Sequence, residues 1–335
     1  MRLLFTLLIC MAIYSCNNNK TPNVSNIAIS LNTQRFEQAF FALDTNNFVQ
    51  SLDILIAQYP SFGENFITTI LGADPKWSVD STAEYVKNFI AYSKTIFDTS
   101  QKYFSNFYAY EKEIKKGLQF VKYYYPTYKI PTKIITYIGP ADGYGDVLDE
   151  DAIIVGLHAH LGKDFPLYKT DMVQGVYPNY ITANFTPNYI VVNCMKNIVN
   201  DKYPEKVEDK RLLIQMIENG KRLWLLSKFL PETDEYKIMG YTKTQMKDCD
   251  AQQKNIWSLF IQNNFLQQTD NNLIKKYVSE GPKTQELGEN APGNIGSYAG
   301  WQIVKKYASK FRDVKVDSLM KMDAEVLYQN AKYKP

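Results

Sequence analysis

Two β-branched runs interrupt a chain whose flanks otherwise repeat apolar residues at helical spacing. The first, Lys133-Ile134-Ile135-Thr136-Tyr137-Ile138, lies between Pro131 and Gly139-Pro140. The second, Asp151-Ala152-Ile153-Ile154-Val155-Gly156-Leu157, follows a stretch containing Gly143 and Gly145. Strand formers bounded by turn residues predict two strands, and the glycines between them predict that the two pair. Tyr189-Ile190-Val191-Val192-Asn193 reads as a third extended piece or as the start of a helix. A lone hairpin is marginal in water, so the sheet must pack on helices. The expected class is α+β, mostly helical, with a small β-sheet.

The flanks supply those helices. Phe36, Phe40, Leu43, Leu52, Leu55 and Tyr59 recur at three- and four-residue steps, with a break near Asp44-Thr45-Asn46-Asn47. Another short helix over Ser61 to Leu71 closes at Gly72. Ser81-x-x-Glu84 reads as a capping box before Tyr85, Phe89, Tyr92 and Ile96, and a further stripe runs from Tyr103 to Val121. Beyond Pro204, one apolar stripe spans Arg211 to Leu230. Thr242-x-x-Gln245 reads as a second capping box, and its helix runs on through Cys249 to Trp257 and Phe260. Pro292-Gly293-Asn294 opens a helix in which Gly296, Ala299 and Gly300 leave one side small, permitting close approach by a neighbour. A last amphipathic helix is expected from about Asp317 to Asn330. No repeat or linker divides these elements, which predicts one globular domain over residues 31–335.

The N-terminus carries an address. Met1-Arg2 precedes an apolar run from Leu3 to Ile13, too short for a stable span but right for a signal-peptide core. It ends at Ile13-Tyr14-Ser15-Cys16, a small residue followed by cysteine, which resembles a bacterial lipobox. The reading is a lipoprotein signal peptide over 1–15, lipidation with palmitate-type chains at Cys16, and a flexible tether over 16–30. Several acyl chains give lasting attachment. A plain secretory signal and a noncleaved anchor are the alternatives.

The chemical inventory is thin. With net charge +3, 45% hydrophobic and 22% charged residues, wholesale disorder and a polytopic membrane protein are excluded, and charge gives nucleic-acid binding no support. Only two histidines occur, His158 and His160, which nearly excludes a zinc site of dispersed histidines. On a strand they would share a face, with Asp164 or Asp171 as a third ligand; two histidines at a strand end is the plainer reading. Asp142, Asp146, Asp149, Glu150 and Asp151 crowd one loop without the EF-hand spacing and read as a solvated acidic turn. Glu218 sits in an apolar helix, where burial would raise its pKa, or at the stripe's edge. Trp257 and Trp301 read as core. Cys194 and Cys249 are either one disulfide or two buried thiols. No H-E-x-x-H, phosphate loop or G-x-S-x-G occurs. No catalytic residue, metal ligand or cofactor is assigned.

Several blocks in order resemble the GldB family of gliding-motility lipoproteins of Bacteroidetes. They are Arg35-Phe36-Glu37 with Tyr59-Pro60-Ser61-Phe62; Gly156 through Tyr168; Tyr177-Pro178-Asn179-Tyr180; Met216 through Trp224; Gly240-Tyr241-Thr242; and Ala291 through Gly296 with Gly300-Trp301-Gln302-Ile303-Val304. The resemblance covers nearly the whole mature chain. It departs at His158, where the family usually has Asp, and at Gln252-Gln253, where it often has Asn-Glu. The final block is also similar to one in predicted zinc peptidases, whose H-E-x-x-H is missing from the helix Arg211 to Leu230; this implies at most a zincin-like fold without the metal site. The resemblance implies a noncatalytic, lipid-anchored envelope protein facing the periplasm. It would support gliding motility or its associated secretion machinery by docking other motility proteins through apolar patches. The alternative is a hydrolase or metal-binding enzyme using His158, His160 and nearby acids.

Overall fold

The computed structural model describes residues 21–205 and 209–335. The signal segment 1–15 and Cys16 lie outside the described residues. The elements run β1 (Asn32–Arg35), α1 (Phe36–Phe41), α2 (Phe48–Gln58), α3 (Phe62–Asn65), α4 (Val79–Tyr92), α5 (Lys94–Phe104), α6 (Tyr108–Tyr124), β2 (Lys133–Tyr137), β3 (Val147–Leu148) and β4 (Ala152–Gly156). Then follow α7 (Asp171–Val176), α8 (Asn179–Thr182), α9 (Ile190–Lys202), α10 (Leu212–Phe229), α11 (Glu235–Met239), α12 (Lys243–Ala251), α13 (Gln253–Gln262), α14 (Asn271–Val278), α15 (Ile295–Lys310), α16 (Val316–Lys321) and α17 (Ala324–Ala331). The fold is α+β, predominantly helical with one small mixed sheet.

That sheet has the order β1-β2-β4-β3. Strands β1, β2 and β4 are parallel, with Ile134 opposite Ile153 and Thr33 opposite Ile134. Only β3 runs antiparallel, placing Val147 opposite Ile154. The two β-branched runs therefore pair as expected, but side by side in parallel. The hairpin is β3–β4, turned by Asp149-Glu150-Asp151. Strand β1 lies just before the helical stripe that begins at Phe36: its Asn-Thr-Gln-Arg composition carries little strand signal, and pairing with β2 decides its conformation.

Alternation along the strands divides the interior into two cores. Ile134, Ile153 and Val155 face the main core, with α6, α9, α10 and α15. Ile135, Tyr137, Ala152 and Ile154 face a smaller, aromatic core built on Phe36, Phe40, Phe62 and Phe66. Phe36 alone meets the rings of Phe40, Tyr59, Phe62 and Phe66 at centroid distances of 4.8–5.6 Å. Such edge and offset contacts add to the area burial.

Several boundaries move. Val24 and Ile29 are buried in the main core, and Gln119 Nε2 donates to the Ile27 carbonyl at 2.8 Å, so residues 24–29 of the tether expected over 16–30 pack on the domain. Ser78, not Ser81, caps α4, accepting from the Ser81 amide at 3.2 Å. The Thr242–Gln245 capping box forms in both directions. Its helix ends at Ala251, and α13 starts afresh at Gln253. The stripe from Tyr103 to Val121 is split between α5 and α6. The last helix divides into α16 and α17, and Tyr189–Asn193 enters α9.

Candidate functional site

The loop from β2 to β3 crosses the C-terminal end of β4, and the two histidines hold it there. His158 Nδ1 accepts from the Gly139 amide at 3.0 Å, and Nε2 donates to the Tyr144 carbonyl at 2.8 Å. Both nitrogens of the neutral ring are thus used. Burial lowers the pKa of His158 to about 4, against smaller raising contributions from the Tyr144 carbonyl and Asp146. His160 faces the Thr186 carbonyl through Nδ1 at 3.2 Å and the Asp146 carboxylate through Nε2 at 2.8 Å. The His160 and Asp146 side chains are 1% and 2% exposed.

Asp146 is the centre of this network. Its carboxylate also accepts from the Gly156 amide at 3.1 Å and from Asn193 Nδ2 of α9 at 3.0 Å. Its carbonyl accepts from Asn197 Nδ2 at 2.9 Å. One carboxylate therefore joins the crossing loop, the end of β4, the following turn and α9. The acidic turn expected to be solvated is solvated only in part: Asp146 is buried, while Glu150 pairs with Lys129 and Asp151 with Lys133 on the surface. The sequence carries no mark distinguishing Asp146 from its acidic neighbours.

The histidines do share a neighbourhood, but not with the other proposed ligands. Asp164 is exposed beside Lys169 at 3.4 Å, and Asp171 is exposed in the first turn of α7. Among the described residues, no cluster of three or more His, Cys, Asp or Glu side chains could hold a metal ion. Glu218 stays at the stripe's edge, 31% exposed, and bonds the 1%-exposed Lys221 at 2.9 Å. A buried carboxylate does exist elsewhere: Glu37, fully buried at the start of α1, receives Thr136 Oγ1 at 2.6 Å and pairs with Arg35 at 2.6 Å. Desolvation raises its pKa, with Arg35 and Thr136 opposing. Trp301 is core, Trp257 is partly buried against Tyr328 and Tyr333, and Cys194 and Cys249 are buried free thiols.

A groove of about 270 Å³ lies where α9, α10, α11, α14 and α15 meet. Leu223, Leu226, Ile238 and Met239 line it together with Arg222, Lys196, Asn219 and Ser297. Asn219 Nδ2 donates to Ser297 Oγ at 3.0 Å and to the Val278 carbonyl at 3.3 Å, tying α10 to α14 and α15. Arg222 and Asn219 lie within a block singled out in the sequence, but their role was not visible: an i, i+3 polar pair on an amphipathic helix looks like a solvated face.

Comparison with known proteins gives one match. The family model described as "Gliding motility protein GldB" matches residues 17–335. No curated protein and no solved structure matches the chain.

Proposed function

Because the chain belongs to the gliding motility protein GldB family, we propose that it is a lipid-anchored cell-envelope protein that supports gliding motility without catalysis. Acyl chains on Cys16 hold it to a membrane, with the folded part facing the periplasm, where it docks other motility or secretion components. The observation that carries this reading is the family match over nearly the entire chain. No helix among the described residues is long and apolar enough to cross a membrane; attachment is assigned to Cys16 from the small residue and cysteine, Ser15-Cys16, that close the apolar run. The hydrolase reading is disfavoured because its two histidines are sealed: His158 spends both ring nitrogens on backbone groups, and His160 is closed in by Asp146 and Thr186.

Cys16→Ala tests the anchor. The mature protein is expected to move from the membrane to the soluble periplasmic fraction, with its mass confirming cleavage. Mature protein retained in membranes defeats the reading. Co-purification of the wild-type protein from solubilised envelopes tests docking. Stoichiometric metal in the purified protein, lost on His158→Ala, would instead favour the enzyme.

A further inference from the structure

Residues 24–29 join the main core beside one helix, α6. Val24 and Ile29 are buried, and the Ile27 carbonyl accepts from Gln119 Nε2 at 2.8 Å. Gln119 belongs to a stripe on that helix. Tyr108, Lys112, Lys116, Gln119 and Tyr123 recur at three- and four-residue steps and so share one face. None of the five is buried, and Tyr108 and Tyr123 are 66% and 47% exposed. The N-terminal segment therefore meets the domain on the outward face of α6.

That face has the composition of an interface with lipid. Lys115 and Lys122 flank the stripe, so α6 carries four lysines against Glu111 and Glu113. Lys116 pairs with Glu232, 73% exposed, and an ion pair this open to solvent is weak. Tyrosine rings sit well at headgroup level, and lysines reach from there to anionic phosphates.

Chain length selects the membrane as the occupant. Cys16 is eight residue steps from Val24, which span at most about 29 Å when fully extended. A globule of this length is about 50 Å across. Acyl chains on Cys16 thus cannot pass from the α6 side to the far side of the domain. Helix α2 occupies that far side. Its Leu52 and Leu55 pack with Ile135 and Ile154, across the sheet from Ile114, Leu118 and Val121 of α6.

We propose that α6 and residues 24–29 form the surface that lies against the membrane, with Tyr108 and Tyr123 at headgroup level and Lys112 and Lys115 on anionic phospholipid phosphates. The proposal deepens the anchoring reading and rests on it.

The experiment uses the purified acylated protein in vesicles of phosphatidylcholine with phosphatidylglycerol. Cys194 and Cys249 are buried, so a bimane label is directed to one introduced thiol at Tyr123→Cys, Tyr108→Cys or Ile54→Cys. Ile54, on α2, is 53% exposed. A nitroxide on the lipid headgroup quenches bimane only at the membrane surface. Quenching at positions 108 and 123 should exceed that at 54 at least about threefold, and Lys112→Gln with Lys115→Gln should lower it at least about twofold. Where one tyrosine substitution lowers the melting temperature, the other decides. The anchor is read separately, by flotation with pure phosphatidylcholine vesicles in high salt, where the lysines contribute little. Flotation should be lost in Cys16→Ala. Failure of the acylated protein to float defeats the anchor and this proposal together. Flotation with a smaller difference between the two sides, or with quenching unchanged in the double variant, overturns the proposal alone.

Discussion

Gly300 on α15 lies against the Met216 carbonyl on α10 with no room for a side chain between them. A β-carbon built on Gly300 would overlap the Met216 oxygen, and one on Gly220 would lie 2.5 Å from the Gly300 oxygen. Helices α10 and α15 therefore meet backbone to backbone, with Trp301, Ile303 and Val304 sealed beside the crossing.

Gly300→Leu should destabilise the protein by at least about 1–3 kcal/mol, the usual cost of overpacking, because the obstacle is backbone and not a flexible tip. Melting temperature and cellular abundance are measured together. Loss of motility with both unchanged would mean that this crossing acts directly in function.

Asp146→Ala should be among the most damaging single changes. It leaves His160 Nε2, the Gly156 amide and Asn193 Nδ2 facing an apolar gap. Breaking a buried charged network typically costs about 3–5 kcal/mol. Urea unfolding checks this, with the exposed neighbour Glu150→Ala as the control expected to stay within about 0.5 kcal/mol.

His158 should make stability depend on pH. Its folded-state pKa of about 4 lies below the ordinary 6.5, so the unfolded chain takes up the proton first. Its contribution is complete above pH 6.5 and falls away as the pH drops towards 4. The stability gap between wild type and His158→Asn should therefore narrow by about 3 kcal/mol between pH 7 and pH 4. Denaturant titrations at both pH values measure it; a constant gap refutes it.

Glu37 has the opposite sign. Burial raises its pKa above 4.5, so the contribution is present below that value and fades as the pH rises through the folded-state pKa. Glu37→Gln, which keeps an acceptor for Thr136, should lie within about 1 kcal/mol of wild type at pH 7. Glu37→Ala, which strips Arg35 and Thr136 of their partner, should cost about 3 kcal/mol. Thermal melts of the two variants separate charge from hydrogen bonding.

Unfolding should be one cooperative transition, although the interior has two cores. Ile134 and Ile153 face the main core while Ile135 and Ile154, on the same strands, face the aromatic one. Neither core can open without breaking the sheet that the other uses. Calorimetry showing two separated transitions in a protein starting near Asn23 would argue for two domains.

Much of this was legible in the linear chain because it depends on neighbours in sequence. Helical stripes report which face of each helix is buried. The Thr242–Gln245 capping box needs only one turn of chain, and Gly296 with Gly300 marks a surface that a backbone approaches. What failed were features with near-equivalent local alternatives. Ser78 and Ser81 both resemble caps, and the α12–α13 break at Gln252 has no proline or glycine to announce it.

The chain alone determined the helical stripes, the two β-branched runs and the ordered blocks that place it in its family, since propensity and periodicity are properties of adjacent residues. Tertiary structure decided that β2 and β4 run parallel, that Asn32–Arg35 is a strand, that Asp146 is buried while Glu150 is not, and that Arg222 lines a groove. Each of those depends on what a residue meets across the fold. A strand's direction is set by the path of its connection, and a carboxylate's burial by donors up to 47 positions away, as Asn193 is from Asp146.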